Sequence, residues 1–178
     1  MPAIQIHDKL FKPYLSEELI KSKIGEIAHR IEKDYQGKTP LFIAVLNGSF
    51  MFASDLFKML HHPAEICFIK LASYKGTVSS GHVITSIGLD VPLIERDVIV
   101  LEDIVDTGKT MHQFLPQLRH QQPASLKICT LLHKEESTQF PVKIDYRGFV
   151  IPNKFVVGYG LDYNGLGRNL NELYELYE

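Results

Sequence analysis

The chain predicts an α/β fold built on a mainly parallel sheet, on three observations. Short apolar runs rich in branched residues, above all Leu41 to Leu46 and Val98 to Leu101, have the composition of strands buried on both faces of a parallel sheet. Segments with apolar residues at helical spacing lie between such runs, so strands and helices alternate. Short polar turns containing glycine, Asn47-Gly48-Ser49 and Asp106-Thr107-Gly108-Lys109-Thr110, stand where strands should end, and open α/β sheets bind ligands outside the carboxyl ends of their strands.

Taken in order, residues 1–14, with Pro2 and Pro13, read as an irregular or short-strand lead-in. Ser16 can cap a helix whose first turn carries Glu17 and Glu18 on the favourable side of the dipole. Ile20, Ile24, Ile27 and Ile31 repeat at helical spacing, and Gly37 ends the helix. After the strand Leu41 to Leu46 and its Asn-Gly-Ser turn, Phe50 to Leu60 reads as an apolar helix. Its Gly-Ser start is a candidate anion cradle.

Ile66 to Leu71 is the next strand. It runs into Ser73-Tyr74-Lys75-Gly76-Thr77-Val78-Ser79-Ser80-Gly81, whose composition suits either a mobile loop closing Tyr74 over a site or a solvated hairpin tip. His82 to Gly88 alternates weakly, as an edge strand does. Beyond the central strand, a helix is expected from Met111 to His120, with Pro116 kinking it or starting a new turn. Ser125 to Leu132 is a further strand. Lys134, just past its end, reads as solvated on composition alone. Gly148 to Tyr163 reads as two short strands around a Pro152-Asn153 turn, with Asp162 after the second and Arg168 in a glycine-rich tail.

The 178 residues suit a single domain, 1–178, and 45% hydrophobic with 22% charged residues is enough for a sizeable core. A net charge of −2 and a pI near 6.4 give no electrostatic reason to expect nucleic acid. Cys67 and Cys129 lie inside apolar runs and read as buried free thiols. With no leader-like start and no apolar stretch of ~18 residues, the expectation is a cytoplasmic protein without a membrane partner. The eight histidines show no metal-type spacing.

The chemistry concentrates in Val98 to Thr110. Backbone N–H groups between Asp106 and Thr110 would stand at a helix start, where the dipole favours a dianionic phosphate. Gly108 lets the backbone curl, and the hydroxyls of Thr107 and Thr110 can donate to phosphate oxygens. Glu102 and Asp103 would repel that phosphate; they are better used one sugar-length away, accepting from vicinal hydroxyls or holding a divalent cation. Gly108-Lys109-Thr110 supplies the second half of a nucleotide P-loop, but the first glycine of that motif would fall on Asp103.

Hydrophobics, two acids, two hydrophobics, then Asp-Thr-Gly-Lys-Thr resembles the phosphoribosyl-diphosphate motif of type I phosphoribosyltransferases. With Leu46-Asn47-Gly48-Ser49, Ser73-Tyr74, Lys134 and Phe155 to Tyr163, the chain resembles hypoxanthine(-guanine) phosphoribosyltransferases from about Lys9 to about Asn171. The resemblance implies the type I fold, a mainly parallel sheet flanked by helices with a small hood built from the chain ends. It also implies a homodimer or homotetramer.

The reaction so implied joins a 6-oxopurine base to C1 of phosphoribosyl diphosphate and releases pyrophosphate, with Mg²⁺. Asp106, Thr107, Gly108, Lys109 and Thr110 would hold the 5′-phosphate, and Glu102 and Asp103 the ribose hydroxyls. Leu46, Asn47 and Gly48 would bind pyrophosphate through a non-proline cis peptide. Asp106 would accept the N7 proton, Lys134 would donate to O6, and Phe155 would stack on the base while the Val156 backbone reads its edge. Asp162, with Glu102 and Asp103, would serve the Mg²⁺, Arg168 would contact pyrophosphate, and Ser73 and Tyr74 would close over the site. Some relatives carry Lys where this chain has Asn47, which leaves pyrophosphate here to backbone amides, Mg²⁺ and Arg168. Rival readings are a transferase for orotate, adenine or xanthine, a nucleic-acid-binding regulator on the same fold, and a bare mononucleotide-binding module.

Overall fold

The computed structural model describes residues 2–73, 83–87 and 89–177. An N-terminal hairpin, β1 (Ile4–Ile6) and β2 (Lys9–Leu15), precedes helix α1 (Glu17–Asp34). Then follow β3 (Leu41–Leu46), α2 (Phe50–Lys58), β4 (Glu65–Ser73), β5 (Val83–Ile87), β6 (Asp97–Val105), α3 (Lys109–Arg119) and β7 (Ser125–His133). A single 3₁₀ turn at Glu135–Ser137 leads to β8 (Tyr146–Val150), β9 (Val156–Val157) and β10 (Leu173–Leu176).

The main sheet has the order β5-β4-β3-β6-β7-β8, parallel throughout except for the antiparallel edge strand β5. Its faces explain the unbroken apolar runs. Ile99 and Leu101 of β6 pack with Ile20, Ile24, Ile27 and Ile31 of α1 and Phe52 and Leu56 of α2. On the other face Val98 and Val100 meet Met111, Phe114, Leu115 and Leu118 of α3. Each fully buried aliphatic of this kind contributes about 1.5–3 kcal/mol, which outweighs the modest strand propensity of any single residue. The parallel register aligns the carboxyl ends of β3, β6 and β7 on one edge, and the polar turns emerge there.

Ser16 caps α1 as expected, its hydroxyl oxygen accepting from the Leu19 N–H at 3.3 Å. Gly37, at φ +75°, follows two residues beyond the Tyr35 cap. Two helix bounds differ from expectation. The α2 helix stops at Lys58, where the Met59 N–H turns back to Leu56 at 3.0 Å. The α3 helix starts at Lys109, two residues early, because Gly108 adopts φ +80° and serves as its cap. Pro116 lies inside α3, which continues to Arg119.

The smaller sheet, antiparallel in the order β1-β2-β10-β9, is the expected hood. The two strands read around Pro152-Asn153 do not share a sheet. Strand β8 closes the parallel sheet beside β7, and the turn carries the chain across to β9, which pairs with β10. That crossing brings Phe155 to the junction of the two sheets. Cys129 is buried and Cys67 only half-buried; both are free thiols.

Candidate active site

The strand ends deliver three polar loops to one edge. The loop after β6 is clamped from behind: the N–H groups of Gln139 and Phe140 both donate to the Thr107 carbonyl at 3.0 Å. An added Cβ on Gly108 would lie 2.3 Å from the Phe140 carbonyl oxygen, so close approach and a positive φ both require glycine. In front, a cavity of about 80 Å³ is lined by Glu102, Asp106, Thr107, Gly108, Lys109 and Thr110. That is several times the ~10–15 Å³ one water needs. It offers a phosphate the start of α3 and two hydroxyls.

Adjacent residues on a strand face opposite ways, and the acidic pair uses this. Glu102 turns toward that cavity, where its Oε2 is buried with no hydrogen-bond partner among the described residues. Asp103 turns toward Gly48, whose added Cβ would lie 1.6 Å from the Asp103 Oδ2. Burial, with the neighbouring Asp103 charge, pushes the Glu102 carboxyl well above the ordinary range. Burial raises Asp103 to about 6 against the opposing pull of the Ile104 N–H and the Arg168 charge.

The second loop follows β3. The Leu46–Asn47 peptide is cis, as the resemblance implies. Gly48 is gripped between Asp103 and the loop after β9, because an added Cβ on Gly160 would lie 2.0 Å from the Gly48 carbonyl oxygen. In that loop Arg168 donates to the Gly160 carbonyl at 2.7 Å and pairs with Asp162 at 2.6 Å. The other Asp162 oxygen accepts from the Gly165 N–H at 2.7 Å. Asn47, Gly48, Asp103, Asp162 and Arg168 therefore form one neighbourhood.

Composition alone misjudges Lys134. It is 7% exposed, and its Nζ donates to the Asp106 Oδ2 at 3.1 Å, across the ends of β7 and β6. Asp106, with its side chain 47% exposed, keeps an open side. Phe155 is 44% exposed beside Tyr163 and Phe11, with ring centroids at 5.8 and 6.2 Å. The Tyr163 hydroxyl is tied to Asp8 at 2.8 Å, so an apolar ring face is held at the hood by the N-terminal hairpin. Val156, paired in register with Glu175, fixes the backbone beside it. Tyr74 and the Ser73 side chain lie outside the described residues.

Sequence reasoning passed over Tyr159. It is fully buried at φ 47°, and its hydroxyl donates to Asp55 of α2 at 2.5 Å, fastening the Asp162 loop to the helix that follows Gly48. A large aromatic between two glycines just past a strand was the available signal.

A model of the phosphoribosyl transferase domain family matches residues 12–164. The chain is 42% identical over 160 residues to the hypoxanthine-guanine phosphoribosyltransferase of Lactococcus lactis, covering 89% of this chain and 87% of that protein. It is 40% identical over 164 residues to the hypoxanthine-guanine-xanthine phosphoribosyltransferase of Tritrichomonas foetus, covering 92% and 90%. It also matches the bifunctional protein TilS/HprT of Listeria monocytogenes at 39% identity over 93% of this chain, spanning only 26% of that longer relative. Among solved structures, a hypoxanthine-guanine phosphoribosyltransferase of Bacillus anthracis superposes with a TM-score of 0.88 at 38% identity, covering 93% of this chain and 98% of that one. The glycine-clamped loop, the acidic pair and the buried lysine thus stand in a chain that belongs to the phosphoribosyl transferase domain family.

Proposed function

We propose that the chain moves the 5-phosphoribosyl group of phosphoribosyl diphosphate to N9 of hypoxanthine, and of guanine, with release of pyrophosphate, as a purine-salvage step. The observation that carries this is the Lys134 ammonium 3.1 Å from the Asp106 carboxylate. N7 and O6 are neighbours on one edge of a 6-oxopurine, so an acceptor and a donor a hydrogen bond apart match that edge. Adenine offers an amino group there, which the ammonium rejects.

In this reading the phosphate loop from Asp106 to Thr110 holds the 5′-phosphate, and Glu102 and Asp103 accept from the ribose hydroxyls. Phe155 stacks on the base. Asp106 takes the N7 proton as N9 bonds to C1, while Arg168 and the amides of Leu46, Asn47 and Gly48 hold the departing pyrophosphate. An ultraviolet assay with phosphoribosyl diphosphate, Mg²⁺ and each of hypoxanthine, guanine, xanthine, adenine and orotate tests it. Turnover of adenine or orotate alone would overturn the assignment of Lys134 and Phe155.

The residues also suit Mg²⁺. Among the described residues no three His, Cys, Asp or Glu side chains form a metal cage. Mg²⁺ needs none, since it commonly takes one or two carboxylates and completes its shell with substrate phosphates and water. Asp103 and Asp162, with Glu102, are the carboxylates for it, and the bound ion would neutralise charge on the leaving pyrophosphate. Because burial raises Asp103, its contribution to the stability of the ligand-free chain is full below pH 3.8 and is lost as pH rises through about 6. Cation binding should run the other way, tightening about fivefold from pH 5 to pH 6 and about tenfold from pH 5 to pH 7, then levelling, with proton release near one per ion at pH 5 and fading above pH 7. Calorimetry in two buffers reads both quantities. An affinity flat across pH 5–7 would remove Asp103 from the cation site.

The reading extends to a homodimer or homotetramer, supported by an exposed apolar groove at Phe50, Phe57 and Phe68 and testable by sedimentation. The free thiols of Cys67 and Cys129 support a reducing, cytoplasmic setting.

A further inference from the structure

Lys134 is held by its backbone as well as by Asp106. Its N–H donates to the Val105 carbonyl at 2.9 Å, and its own carbonyl accepts from the Ser137 N–H at 3.0 Å and from the Thr138 hydroxyl at 3.3 Å. Lys134 itself sits at φ −90°, ψ 79°, outside helix and strand, so no regular ladder fixes it. Behind Thr138 stands His133, buried, with Nε2 at 3.1 Å from the Thr138 oxygen and Nδ1 at 3.3 Å from Nη1 of Arg147.

Donor chemistry gives this chain of contacts one sense only. A guanidinium can only donate, so Nδ1 of His133 accepts and carries no proton. The imidazole proton is then on Nε2 and points at the Thr138 oxygen, and the Thr138 hydroxyl proton goes to the Lys134 carbonyl. Arg147 is itself oriented by Glu135 at 3.2 Å.

We propose that His133 and Thr138 are positioning residues for Lys134, a directed relay from Arg147 that sets where the lysine ammonium meets the exocyclic oxygen of the base. The proposal deepens, and rests on, the reading of Lys134 as the group that recognises a 6-oxopurine. The relay needs a neutral imidazole. Burial, with the Arg147 charge, holds His133 below its ordinary range against the pull of Glu135. Arg30 and Asp145 are the other charged groups lining the same groove. A protonated ring would present its Nδ1–H to Arg147 and break the relay at that contact.

The test compares wild type with Thr138→Val, Thr138→Ser and His133→Gln. Thr138→Val should raise KM for hypoxanthine about three- to tenfold, the range one ordinary hydrogen bond governs, and leave KM for phosphoribosyl diphosphate and the melting temperature near wild type. Thr138→Ser should restore the base KM. His133→Gln, which keeps an N–H donor toward Thr138 but cannot be protonated, should lose the rise in base KM that wild type develops at acid pH. Nitrogen-15 spectra of the wild-type histidines report the relay without turnover and should give a neutral His133 protonated at Nε2. Equal rises in both KM values for Thr138→Val, an unchanged base KM, or a charged or Nδ1-protonated ring at pH 7 would overturn the proposal. A wild type inert toward every base would instead sink the function reading, while the spectra still decide the relay.

Discussion

Asp106→Asn should lower turnover with saturating hypoxanthine and phosphoribosyl diphosphate by about 10²–10⁴-fold, the range a positioned general base supplies. The substitution is sharp because it changes so little else. An asparagine oxygen in the place of Oδ2 can still accept from the Lys134 ammonium, so the 3.1 Å contact and the loop behind it persist. What disappears is the capacity to take a proton as N7 loses it. KM for both substrates should therefore move much less than kcat, since an interaction confined to the transition state lowers the chemical step without weakening ground-state binding. The reverse reaction, from nucleotide and pyrophosphate, should fall by the same factor. Single-turnover quench measurements separate chemistry from product release. A near-normal chemical step in the variant would mean that Asp106 does no proton transfer and that solvent carries the proton.

Why local composition could mark the run that holds that carboxylate, and could not mark its partner, is a matter of range. The run from Val98 to Thr110 is local: strand composition, acidic pair, glycine cap and helix start follow one another in the chain, and the structure keeps that order around one cavity. The periodic isoleucines of α1 were legible for the same reason. Lys134 looked solvated because a lysine after a strand usually is. Its burial depends on the 3₁₀ turn that folds over it and on Asp106, 28 residues away. The hood strand β9 is two residues long and gains its identity only from pairing with β10. The resemblance supplied Lys134, Phe155 and Asp162, but not the Tyr159–Asp55 bond or the His133–Thr138 relay. Those are made by side chains whose types are common and whose partners lie on other elements.

The contact between Gly160 and Gly48 is of that hidden kind, and it carries the second large effect. Gly160→Ala should destabilise the chain by about 2–5 kcal/mol, the sum of a left-handed backbone cost and overpacking. At φ +99° a Cβ is strained wherever it points, and here it would stand 2.0 Å from the Gly48 carbonyl oxygen. The obstacle is backbone, so no rotamer change relieves it. One of two loops must retreat. If the Gly48 loop moves, it leaves the Asp103 carboxylate that it packs against. If the Gly160 loop moves, it takes with it Arg168, which donates to the Gly160 carbonyl, and Asp162, which pairs with Arg168. Either retreat dismantles the pyrophosphate and cation neighbourhood and spares the base-reading pair Lys134–Asp106 on the other strand ends. KM for phosphoribosyl diphosphate should therefore rise at least about tenfold, while a 6-oxopurine nucleoside still protects the variant in thermal shift. Gly37→Ala is the control: its φ of +75° carries the backbone cost, but nothing lies within 4 Å of the added carbon, so it should cost about 1–2 kcal/mol and leave both KM values alone. A Gly160→Ala enzyme that matched this control in stability and in KM would show that the two loops do not hold one another.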